Sequence, residues 1–108
     1  MGKLVKGVRN MEYNQEAKAD KGKPQCRLVP SEIVRCIARI REYGTSKYGS
    51  ADNWKKVEKE RYIDAMYRHL LAYIDDNEGV DEESGLPHLW HLACNVAFLC
   101  DLDKQEQL

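Results

Sequence analysis

Leu86-Pro87-His88-Leu89-Trp90-His91-Leu92-Ala93-Cys94-Asn95-Val96-Ala97-Phe98-Leu99-Cys100-Asp101-Leu102 is the stretch that decides the fold. It has the length of a helix, and Pro87 near its start is tolerated there because the first-turn N–H groups have no intrahelical partner. Apolar residues fall on almost every side of it. A helix that is apolar all round has to be buried all round. Three polar residues interrupt it, His88, His91 and Asn95. Their spacing of three and four puts them on one face. Burying such groups costs free energy unless they are bonded, so this stripe points to a polar pocket inside a helical core.

Upstream, Asp81-Glu82-Glu83-Ser84-Gly85 reads as an acidic loop, and Asp75-Asp76-Asn77-Glu78-Gly79 stops the helix before it. Carboxylates at a helix C-terminus oppose the macrodipole, so they do not serve to stabilise that helix. A second helix is expected from Glu58 to Ile74. Tyr62, Met66, Leu70 and Tyr73 form its apolar stripe, while Glu60, Asp64 and Arg68 lie on a polar face. A loop at Ser50–Lys56 holds Asn53-Trp54, and a tryptophan in a polar loop must dock on something. The first helix is expected to start at Ser31, an N-cap residue type following Pro30. Ile33, Ile37 and Ile40 recur at helical spacing, and Gly49 can end the helix. No strand-like alternation and no repeat appears.

The reading is therefore an all-α protein, a small bundle of about three main helices per chain. Two partner helices from the same chain cannot cover the third helix, so a homodimer or homotetramer is expected to complete the bundle. Residues 1–20 are polar without a sustained period and are read as a flexible N-terminal arm. Residues 21–105 are read as a single domain, with Lys21-Gly22-Lys23-Pro24 a turn at its border.

A chain of 108 residues has room for one core. With 43% hydrophobic and 32% charged residues it has a globular composition rather than a disordered one. No apolar run approaches the roughly 18 residues of a membrane span. Residues 1–9 contain no apolar signal segment, so the expected location is cytoplasmic. Cys26, Cys36, Cys94 and Cys100 form no C-x-x-C pair and are read as free thiols. The net charge of −1 argues against nucleic acid as a partner. Its distribution is uneven: +4 over residues 1–30, +3 over 31–74 and −8 over 75–108. Such asymmetry suits solvated faces, and equally suits an enzyme that needs carboxylates for a cation and bases for phosphates.

Nucleophilic catalysis finds little support. Thiols in an apolar helix have raised pKa values, and neither Ser46 nor Ser84 has a G-x-S-x-G context. His88, His91, Cys94 and Cys100 all lie on one helix and cannot close a zinc tetrahedron. Glu32, Glu42, Asp64, Asp81 and Glu83 are hard oxygen ligands. If several converge across a bundle, Mg²⁺ or Mn²⁺ fits, with substrate phosphates completing the shell. Arg35, Arg39, Lys47, Lys55, Arg61 and Arg68 could hold phosphates.

The order Gly22-Lys23-Pro24, Leu28-Val29-Pro30-Ser31-Glu32, Lys47-Tyr48-Gly49, Asn53-Trp54 continues with Arg61-Tyr62-x-Asp64-Ala65, Arg68-His69-Leu70 and Asp81-Glu82-Glu83-Ser84-Gly85-Leu86-Pro87-His88-Leu89. With His91 and Asn95, this pattern over residues 20–102 resembles a phage and prophage family, the dATP/dGTP diphosphohydrolases of the N-terminal domain type. That family is similar to MazG-like all-α nucleoside triphosphate pyrophosphohydrolases. The resemblance implies an oligomeric all-α fold and cleavage of a deoxynucleoside triphosphate into monophosphate and pyrophosphate. It also implies dependence on Mg²⁺ or Mn²⁺, a role in shaping the nucleotide pool, and the host cytoplasm as location. The MazG-like pattern has E-x-x-E on one helix and E-x-x-D on the next. Here the second and third helices carry Asp64-x-x-x-Arg68-His69 and His88-x-x-His91-x-x-x-Asn95 instead.

On this reading Glu32, Asp64 and His69 are the catalytic candidates. Glu32, Asp64, Glu83, His88 and His91 are the metal candidates. Lys47, Asn53, Trp54, Arg61, Arg68 and Asn95 are expected to bind a dNTP substrate. The alternative, motivated by the missing acidic quartet, is a non-catalytic helical protein used for binding or assembly.

Overall fold

The computed structural model describes residues 12–106. Three helices carry the fold: α1 (Glu32–Tyr48), α2 (Lys59–Asp75) and α3 (His88–Glu106). Short 3-10 turns at Gln15–Ala17, Cys26–Leu28 and Asn53–Lys56 complete the regular structure, with one isolated bridge between Val80 and Pro87. The all-α expectation holds. Of the expected N-terminal arm, residues 1–11 lie outside the described residues.

α3 is the central helix. α1 and α2 both pack on it and barely touch each other. The start of α2 lies at the end of α3, where Lys59 Nζ reaches Asp103 at 3.1 Å and Glu106 at 3.0 Å. His69, further along α2, meets His88 at the start of α3. The two helices are thus antiparallel. α1 also runs against α3, since Arg41 lies over Phe98 while Tyr43 meets His91. Two helices on the same side of a third, separated from one another, leave a cleft whose floor is α3.

Local chemistry explains the boundaries. Gly49 takes a left-handed conformation (φ 71°) and its N–H returns to the Thr45 carbonyl at 2.8 Å, which closes α1 as a C-terminal glycine does. Ser31 does not cap α1 with its side chain, because its backbone is already helical; its hydroxyl accepts from Arg35 instead. α3 begins two residues later than the apolar run suggests. Pro87 pairs with Val80 and its carbonyl receives the first helical N–H groups, from Trp90 and His91.

The stripe Tyr62, Met66, Leu70 and Tyr73 of α2 turns inward, leaving Tyr67, Leu71 and Ile74 exposed. Among the described residues only Ile40 and Cys94 are buried apolar side chains, and Asn95 is the buried polar one. Leu89 and Val96 of α3 remain more than 40% exposed. A chain that folds this way places its core around the floor of the cleft and leaves the outer sides of α2 and α3 apolar.

Candidate functional site

The cleft has a volume of about 780 Å³, within the range of small-molecule sites, and draws its walls from all three helices and both connecting segments. Its two ends differ. At one end Trp54 stacks on Phe98 (centroids 4.4 Å apart, planes 14° apart). Tyr62 tilts against the same ring and donates its hydroxyl to the Trp54 carbonyl at 2.7 Å. Arg41 lies over the Phe98 ring and holds the Ala51 carbonyl. These contacts fasten the connection between α1 and α2 to the bundle. Trp54 therefore pins its segment to the core while still lining the cleft.

At the other end three histidines meet. His69 Nδ1 and His88 Nδ1 are 2.9 Å apart, and His91 stacks on His69 with centroids 4.6 Å apart and planes 10° apart. Asp81 completes the group. One ligand atom each from His69, Asp81 and His88 lies within 4.8 Å of the other two. Burial, with repulsion from His91 and His88, pushes the His69 pKa down to about 4, so its ring is neutral at pH 7. His91 is lowered too, chiefly by burial. Burial opposes ionisation of Asp81, but the Ser84 backbone N–H, His91 and further Ser84 contact outweigh it and hold the carboxyl below its ordinary value. A neutral His69 imidazole beside an ionised Asp81 carboxylate is the protonation state a divalent cation requires, and the donor types of the group fit one.

Beside the histidine cluster, where Tyr43 meets His91 edge-on, sits a charged pair. Glu83 accepts from Tyr43 Oη at 2.8 Å and from Lys47. Lys47 is raised above its ordinary value, first by that bond, and Glu83 is lowered by the same partner. Burial, then the Glu83 carboxylate, raises Tyr43.

The expected site residues separate accordingly. The cleft brings together Lys47, Asn53, Trp54, Arg61, Asp64, Arg68, His69, Glu83, His91 and Asn95. His88 joins through its contact with His69. Glu32 does not belong. It lies eleven residues before Tyr43, about 16 Å along the helix, and is exposed and paired with Arg35 at 3.0 Å. The ligand set Glu32, Asp64, Glu83, His88 and His91 is likewise not gathered at one point: among the described residues, the triad that converges is His69, Asp81 and His88. Glu83 is engaged by Lys47 and Tyr43, and the His91 Nε2 lies 2.7 Å from Ser84 Oγ. Asp64 and Arg68, a possible i, i+4 pair, form no ion pair among the described residues; both line the cleft. The Asn95 amide donates to the His91 carbonyl at 2.9 Å.

Asp81, Tyr43 and Ser84 were not singled out for the site. Asp81 stood among several hard oxygen ligands with nothing to rank it. Its signal is local: Asp81 Oδ2 accepts from the N–H groups of Glu83 and Ser84, the turn that an Asp followed by Ser and Gly favours. Tyr43 precedes Lys47 by one helical turn, which puts both on one face.

Comparison with known proteins gives the same direction. Residues 13–108 match the family described as dATP/dGTP diphosphohydrolase, N-terminal. A relative named dATP/dGTP diphosphohydrolase, from Salmonella phage PMBT28, is 37% identical over 82 residues. That match covers 76% of this chain and 28% of the relative's length, so the chain spans well under half of the phage protein. No solved structure matches. The family match takes in every residue of the cleft described above, and the chain belongs to the dATP/dGTP diphosphohydrolase family through that family's N-terminal region.

Proposed function

We propose that this cleft hydrolyses a purine deoxynucleoside triphosphate, dATP or dGTP, to the monophosphate and pyrophosphate, in a reaction dependent on Mg²⁺ or Mn²⁺. The observation that supports this reading is the cleft's polarity: aromatic side chains at one end, basic side chains along its walls and a histidine–carboxylate cluster at the other. A nucleotide has the same order, with a flat base, a sugar and a run of phosphates. The phage relative carries dATP/dGTP diphosphohydrolase as its name.

In this reading Lys47, Arg61 and Arg68 hold phosphate oxygens. Lys47 must leave Glu83 to do so, exchanging one oxyanion for another. Asn53, Trp54 and Asn95 face base or sugar. His69, Asp81 and His88 would hold the cation, which when bound neutralises phosphate charge and acidifies a water. Asp64 lies on the cleft wall with no ion pair among the described residues and would accept the proton of the attacking water. The water's oxygen bonds to the α-phosphorus, the bond to the bridging oxygen breaks, and pyrophosphate leaves.

The reading also includes self-association, in the cytoplasm of the cell where the chain is made. Tyr67, Leu71 and Ile74 form an exposed stripe at i, i+4 and i+7 of α2, which a homodimer or homotetramer would cover. Light scattering coupled to gel filtration tests that part; a monomer at micromolar concentration rejects it.

Product analysis tests the activity. Incubation with each dNTP and NTP, with Mg²⁺ or Mn²⁺, should release monophosphate and pyrophosphate from a purine dNTP. Asp64→Asn should lower kcat by about 100-fold with little change in KM, the signature of a lost general base. Absence of turnover with every nucleotide and either metal rejects the enzyme and leaves the binding or assembly reading.

A further inference from the structure

We propose that His69, Asp81 and His88 form a three-ligand site for a transition-metal dication that accepts imidazole nitrogen, Mn²⁺, Fe²⁺ or Co²⁺, in preference to Mg²⁺. This deepens the hydrolase reading by naming the cation and its ligands, and its test uses no nucleotide.

The three ligands come from three segments. His69 lies on α2, Asp81 in the loop between α2 and α3, and His88 at the first position of α3. The loop is cross-tied to hold them. Asp81 N–H donates to the Leu86 carbonyl at 2.8 Å, Gly85 N–H to the Asp81 carbonyl at 2.7 Å, and His88 N–H to the Gly79 carbonyl at 3.2 Å. The Val80–Pro87 bridge lies inside these ties. Gly79 lets the His88 ring lie against the loop: a Cβ there would stand 3.1 Å from the Asp76 carbonyl oxygen and 3.4 Å from the ring.

The surroundings orient the ligands as metal sites require. Asp81 Oδ2 takes the N–H groups of Glu83 and Ser84 at 3.1 and 2.9 Å, which fixes the carboxylate plane and leaves Oδ1 for an ion. His91 is held by Ser84 Oγ at 2.7 Å and stacks on His69, which fixes that ring. The two Nδ1 atoms are 2.9 Å apart and share a hydrogen bond, and loss of that proton would leave both lone pairs facing one ion. Two nitrogens at right angles on one ion, each about 2.1 Å away, stand about 3.0 Å apart. Two imidazoles and one carboxylate leave coordination positions for water and phosphate oxygens. Mg²⁺ selects oxygen ligands and keeps its waters, whereas Mn²⁺, Fe²⁺ and Co²⁺ accept imidazole.

The experiment uses the full chain, freed of metal by chelation, with Mn²⁺ alone as the probe. Binding is read from loss of the free Mn²⁺ paramagnetic resonance signal, and Co²⁺ absorption reports imidazole coordination. One Mn²⁺ per chain is expected, retained in a large excess of Mg²⁺. His69→Ala and His88→Ala should each weaken it by about 100-fold or more, and Glu32→Gln should leave it unchanged. Thermal melts check that the variants fold. Asp81→Asn, which keeps an oxygen acceptor for the Ser84 N–H, should weaken binding without melting the loop. Failure of folded wild-type protein to bind Mn²⁺ or Co²⁺ overturns the assignment, as does binding that survives both histidine variants or yields to equimolar Mg²⁺. Metal held by the triad without nucleotide turnover upholds the site and rejects the hydrolase reading. Turnover by a chain whose histidine variants bind Mn²⁺ as wild type does the reverse.

Discussion

The two ends of the cleft are built on one helix and obey different rules. At Phe98 the floor of α3 meets rings: Trp54 stacks on it, Tyr62 tilts against it, and Arg41 covers its face. At His88 and His91, two to three turns earlier, the same helix meets another histidine and a carboxylate. Aromatic stacking is strongest when the contact is dry, and it holds the chain connection in place. The histidine end gives up apolar burial for polar groups whose bonds are mutual, His69 with His88 and His91 with Ser84. On the proposed reading the difference is a division of work along α3, with fastening at one end and chemistry at the other.

The strongest way to break that division is His69→Ala. It should lower nucleotide turnover by about 1000-fold or more, the scale of losing metal-assisted phosphate chemistry, while the denaturation midpoint stays near wild type. A variant that unfolds instead would make the histidine end structural. Phe98→Ala should do the opposite. The loss is about 3 kcal/mol of stability, roughly a hundredfold in the folding constant, read from urea titration of Trp fluorescence. If its stability is unchanged and turnover collapses, the aromatic end belongs to the chemistry.

A smaller effect is expected at Gly49→Ala. Gly49 sits at φ 71° with open space around it, so the cost is conformational, about 1 kcal/mol. It should lower stability and loosen the Trp54 connection without touching metal affinity. The smallest effect is chemical. Cys94 lies between the two ends, buried, and that burial pushes its thiol up to about 11. At pH 8 about one thiol in a thousand is then ionised, so iodoacetamide should label exposed Cys26 and Cys100 first and Cys94 last. Cys94 labelling should rise about tenfold per pH unit up to about pH 11. Fast labelling of Cys94 at neutral pH would show that the middle of α3 is open.

Much of the fold was legible because helical periodicity is a local property. The inward stripe Tyr62, Met66, Leu70, Tyr73, the stop at Gly49 and the helical run of α3 all follow from spacing and turn chemistry. The docking of Trp54 was expected in kind, since an indole in a polar segment has to cover its surface. Its partner, Phe98, lies 44 positions away and could not be read from order alone.

The site was legible by residue type but not by assembly. The histidine stripe of α3 marked a polar pocket. The metal set drawn from it is not gathered at one point: Glu32 starts α1 far from the cleft, and Asp81, which converges with His69 and His88, was one acidic residue among many. Glu83 was expected on a metal and instead bonds Lys47 and Tyr43. Spacing within a helix tells which side chains share a face. It does not tell which face of a second helix, or which turn of a loop, comes opposite.

The sequence by itself determined three helices, their inward faces, a family and the kinds of groups available for chemistry. Tertiary structure alone decided that α1 and α2 stand apart on α3, which makes the cleft, and that His69, Asp81 and His88 meet. The physical reason is range. Helix periods, glycine turns and Asx turns act within a few residues of the chain, whereas ligand sets are fixed by packing between segments that the backbone bonds of residues 79–88 bring together.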